Sequence, residues 1–85
     1  MRPSAEEWVR YRVAHYGFED ALTAAKRLEL AALGQIGSAR AADDHLAEAL
    51  ARKEAQLTHD ARLKIEREFR AFRRQGPGPQ ETEAK

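Results

Sequence analysis

The chain has 85 residues, no cysteine, and 15 Lys plus Arg against 14 Asp plus Glu. So few residues hold one domain at most and exclude nucleotide-binding doubly wound folds and (β/α) barrels, while the missing cysteine excludes disulfide frameworks, thiolate metal sites and cysteine nucleophiles. No run approaches the roughly 18 apolar residues of a membrane span, and no apolar core follows the opening residues as in a secretory signal, so a cytoplasmic protein is the expectation.

Ala, Arg, Glu and Leu dominate, with 17, 11, 10 and 8 copies, against 2 Val and 2 Ile. The four abundant types lose little rotamer freedom in a helix, and no segment alternates apolar and polar as a half-buried strand does. The fold class read from this is all-α, a long antiparallel helical hairpin. The excess of Arg over Lys suits a GC-rich bacterial, phage or plasmid gene.

The first helix starts at Pro3-Ser4-Ala5-Glu6-Glu7, where Ser4 and Glu7 have the spacing of a reciprocal capping box. From there Trp8, Tyr11, His15, Phe18, Leu22, Ala25, Glu29 and Ala32 recur at alternating steps of three and four. That is the seam of a helix packed along one partner. It keeps its phase across Gly17. We therefore read one helix over about 5–33, with a kink or break at Gly17, giving three helices, as the competing reading. Gly34 and Gly37, followed by Ser38, offer a left-handed cap and the next N-cap, so the turn is placed at 34–38.

The second helix is read over about 39–74, since no glycine or proline interrupts it before Gly76. Its apolar stripe runs through Leu46, Leu50, Leu57, Ile65, Phe69 and Phe72, drifting where the spacing stretches to fours. Residues 75–85, with two prolines, two glycines and no large apolar side chain, read as a disordered tail after a single domain at 1–74. Folding about 35–36 places Tyr11 near Asp60 and Ala61 and leaves Phe69 and Phe72 with little cover. Glu29 lies in reach of Arg40 across that turn. Apolar residues off the seam suggest a second contact, most simply a homodimer forming a helical bundle.

Charge is uneven. Arg62, Lys64, Arg67, Arg70, Arg73 and Arg74 face only Glu66 and Glu68 between 62 and 74. Such a basic amphipathic segment suits an acidic protein surface or the phosphates of a nucleic acid. Its apolar arc is too short for a membrane-surface role.

Catalytic signals are weak. None of His15, His45 and His59 has a second histidine at helical ligand spacing, and no phosphate loop, nucleophile elbow or HExxH occurs. Thr58, His59 and Asp60 are successive on a helix and point apart. A helix-turn-helix reading fails because Asp43, Asp44 and Glu48 would face phosphate. The expectation is a non-enzymatic protein with no cofactor, metal or small-molecule substrate. It is a regulator or inhibitor of bacterial, phage or plasmid type, binding a larger protein through Phe69, Phe72 and the arginines. The alternative is a nucleic-acid-binding regulator using the basic face of 62–74. Trp8, Tyr11, His15, Phe18, Leu22, Leu46, Leu50, Leu57 and Ile65 are assigned to the seam or a dimer interface.

Overall fold

A computed structural model describes residues 2–77 and contains two helices, α1 over Ala5–Ala41 and α2 over His45–Gln75, packed along their length. Residues 78–85, most of the segment read as a tail, lie outside the described residues. Ser4 accepts from the backbone of Glu7, and the Glu7 carboxylate accepts from the Ser4 amide at 2.8 Å, so the capping box forms. Helix α1 then runs unbroken through Gly17.

The turn is not at 34–38. Gly34 and Gly37 lie inside α1, and the chain reverses at Ala42-Asp43-Asp44. There the Asp44 amide donates to the Ala39 carbonyl at 2.9 Å and the Asp43 amide to Arg40 at 3.1 Å. These are the paired bonds of a Schellman cap, and they need a left-handed residue at Asp43, which has φ 57°. Aspartate tolerates that conformation better than most residues. Asp44 then caps α2, its carboxylate accepting from the Ala47 amide at 3.0 Å. Satisfied backbone groups at both sides of the reversal outweigh the glycines further up, which supply only freedom.

Moving the turn resets every pairing. Tyr11 lies against Phe72, His15 and Phe18 against Phe69, Glu29 against His59 and Arg62, and Arg40 against Glu48. The seam on α1 continues to Ile36 and Ala39, with Ala25, Ala32 and Ala39 buried. The α2 seam is Glu48, Ala51, Ala55, Thr58, Arg62, Ile65, Phe69 and Phe72, again alternating by threes and fours. Leu46, Leu50 and Leu57, assigned to that seam or to a dimer interface, lie off the seam and are 71%, 60% and 61% exposed. Helices whose apolar repeat averages 3.5 residues stay in register over their full length by a left-handed coil. The particle is accordingly a rod of 61 × 24 × 12 Å.

Replacing Asp43 with Gly removes the left-handed penalty and should stabilise the chain by about 1 kcal/mol. Asp44→Ala removes the cap and should cost about 1 kcal/mol. Urea melts followed by circular dichroism measure both; a neutral Asp44→Ala would show that the turn is set elsewhere.

Candidate interaction surfaces

Aromatic packing closes the open end of the hairpin. Phe69 is 6% exposed and stacks on Phe18 at 5.3 Å between ring centroids, with the edge of His15 at 4.9 Å. Phe72 stacks on Tyr11 at 4.7 Å and meets Phe18 at 5.1 Å. The little cover expected for Phe69 and Phe72 is not what the structure shows: α1 itself packs on them, because the later turn brings Tyr11, His15 and Phe18 opposite. Trp8 meets Tyr11 edge-on but stays about half exposed. Leu22 and Ile65 are half-buried along the seam.

A polar clamp sits midway. The Glu29 carboxylate accepts from Arg62 Nε at 2.6 Å and lies 2.8 Å from His59 Nδ1, while Arg62 reaches Glu66 at 3.1 Å. The Arg62 hydrogen bond, then that of His59, holds the Glu29 carboxyl below the usual carboxylate range, and Glu29 in turn raises the Arg62 guanidinium. Arg62 is thus a seam residue bound within the chain, not a free docking cation. Nearer the turn, Arg52 and then Arg40 lower Glu48 in the same way.

The remaining cations of 62–74 divide. Arg73 lies over the Phe69 ring at 4.5 Å. Lys64, Arg67, Arg70 and Arg74 are exposed and hold no ion pair among the described residues. With residues 2–18 alongside, the open half carries nine basic and four acidic side chains; the closed half, 19–61, carries five and eight. The rod is therefore polarised end to end. The hairpin brings Arg12 and Tyr16, paired at 3.0 Å, to this same end. Linear reading missed their place there because it put the turn eight residues too early.

The two broad sides of the rod also differ. The residues immediately before seam residues share one side, since both helices rotate them the same way out of the seam. On α1 these are Glu7, Arg10, Ala14, Gly17, Ala21, Ala24, Leu28, Ala31, Gln35 and Ser38. On α2 the matching positions between 47 and 71 include Leu50, Leu57, Ala61 and Ala71. Of these eighteen positions Glu7, Arg10, Glu54, Lys64 and Glu68 are charged; the eighteen opposite carry eight charged side chains, Arg12, Arg40, Arg70 and Arg73 among them. An open depression of about 290 Å³ on the apolar side, lined by Ala14, Gly17, Phe18, Ala21, Ile65 and Glu68, places the two sets on one face.

Among the described residues no group of three or more His, Cys, Asp or Glu side chains can hold a metal ion, and no helix is long and apolar enough to cross a membrane. No protein-family model matches the chain, and neither does any curated protein or solved structure.

Phe69→Ala should cost about 3 kcal/mol or more, the cost of emptying a packed aromatic site, and so reads out stability before any docking. For pH the sign follows from the lowered carboxyls. Their contribution is present above the unfolded glutamate value of 4.5 and is lost as pH falls below it. Melting temperature should hold steady above about pH 5 and drop under acid. Glu29→Gln should lower the neutral plateau and shrink the acid drop, and an identical acid limb in the variant would discharge the clamp from that role.

Proposed function

We propose that the chain is a non-enzymatic helical interaction module of regulator type that works as a completed bundle. A second copy covers its apolar face, and its basic open end engages an acidic surface on a larger protein. One observation supports this above others. The hairpin buries five alanines and one phenylalanine, yet leaves Leu28, Leu50 and Leu57 on that face between 56% and 61% exposed. Burying a leucine gains about 1.5–3 kcal/mol, far more than an alanine can give. A sequence that spends its small residues inside and its large ones outside is stabilised by what covers the outside.

With Phe69 and Phe72 engaged by α1, docking at the open end falls to Lys64, Arg67, Arg70 and Arg74. These four also favour a second reading, a nucleic-acid-binding regulator, since they leave cations unpaired near the half-exposed Trp8 and Tyr16.

Two measurements test these readings. If a second copy completes the bundle, the melting temperature rises with protein concentration by mass action. A concentration-independent melt together with a monomer mass at high concentration ends the self-association. Anisotropy titration of a labelled RNA or DNA oligonucleotide over a salt series addresses the second reading. An affinity falling steeply and linearly with log salt, abolished by Arg67→Glu with Arg70→Glu, would replace the protein partner with a nucleic acid.

A further inference from the structure

We infer that the second copy packs antiparallel, open end against closed end, with Leu28 of each chain seated in the depression over Gly17 of the other. This rests on the self-association proposed above and specifies its geometry. A face-to-face pair can take two two-fold arrangements. In one the axis runs along the rod and like ends coincide; in the other it crosses the rod and opposite ends coincide.

Charge favours the second. Like ends together would bring two halves with nine basic and four acidic side chains near each other, while opposite ends bring that half near one with five basic and eight acidic; the effect is one of net charge, since on the face itself Glu7, Arg10, Lys64 and Glu68 balance. Side-chain size favours it independently. On the apolar face Leu28, Leu50 and Leu57 lie toward the closed end, and Ala14, Gly17, Ala21 and Ala71 lie toward the open end. Reversal about the middle of the rod, near residue 23 of α1, carries Leu28 to the level of residue 18. That is the site of the depression lined by Ala14, Gly17 and Ala21. It carries Leu57 to the level of Ala71. Leu28 and Leu57 then meet small residues, as interior packing density demands, and Leu50 falls at the level of Arg10. The parallel arrangement stacks leucine on leucine at one end and leaves the depression unfilled at the other.

At Gly17, as at Gly34 and Gly37, an added Cβ meets nothing within 4 Å in its own chain, so a larger side chain there tests the seating without disturbing the hairpin. The 61 × 24 Å outline of the rod also exceeds the roughly 800 Å² per partner that stable interfaces bury.

The chain lacks cysteine, so Ser38→Cys provides a unique label position at the closed end of the apolar face. Dipolar distance measurement between two spin labels should give roughly 45 Å in the antiparallel pair, from fifteen residues either side of the two-fold at 1.5 Å each. A distance under about 20 Å, the span of neighbouring helices, would overturn the antiparallel inference and leave the dimer standing. No coupling with a monomer mass would overturn both. In a second variant, Gly17→Leu, helicity should be kept or raised, because nothing intramolecular is displaced, while the dimer dissociation constant rises at least tenfold. An unchanged constant would overturn the seating of Leu28.

Discussion

A hairpin of two helices has one seam, and that constraint governs the rest of the molecule. Each helix can bury a single stripe, so every apolar residue off the stripe must face solvent or another chain. Here the stripe is filled by aromatic rings at one end, a carboxylate clamped by Arg62 and His59 in the middle, and alanines toward the turn. The alanines allow close approach but bring little apolar area. The leucines that would supply it stand on the flank and back of the same helices. The proposed self-association rests on this distribution of large and small residues along one rod.

The polar clamp has a second effect through its position. Alanine seams are degenerate in register: sliding one helix by seven residues sets alanine against alanine again. Glu29 has no equivalent one heptad away on either side, where Leu22 and Ile36 stand. A slip would strand its carboxylate beside apolar groups and leave Arg62 unpaired. The pair thus fixes register at some cost in desolvation, as buried polar residues do in coiled coils.

Much of α1 was legible in the sequence, because the three-four spacing through Tyr11, His15 and Phe18 never lapses. The second helix was harder because it carries two stripes. Leu46, Leu50 and Leu57 are the more hydrophobic, and a reading by hydrophobicity takes them for the core. The phase is set instead by Phe69 and Phe72, and counting back by threes and fours reaches Thr58, Ala55 and Ala51. The turn was concealed for a related reason. Gly34 and Gly37 advertise a break, yet the Asp43-Asp44 pair closes the helix with better-satisfied backbone. The consecutive aspartates before a fresh apolar run were the available signal. Misplacing the turn moved Phe69 and Phe72 from the core to the surface and left Arg62 outside the seam, while Lys64, Arg67, Arg70 and Arg74 are exposed in either register.

The placement of the aromatic cluster bears on how the hairpin forms. Contacts near a turn close short loops at little entropic cost, yet in this chain those contacts are alanines and a few surface ion pairs. The best-packed group joins His15 to Phe69, across nearly the whole described chain. Loop-closure entropy grows only logarithmically, by about 0.6 kcal/mol for each doubling of length, so the distant cluster remains the more profitable nucleus. The long-range aromatic contacts, rather than the turn, thus carry most of the burial that holds the hairpin closed.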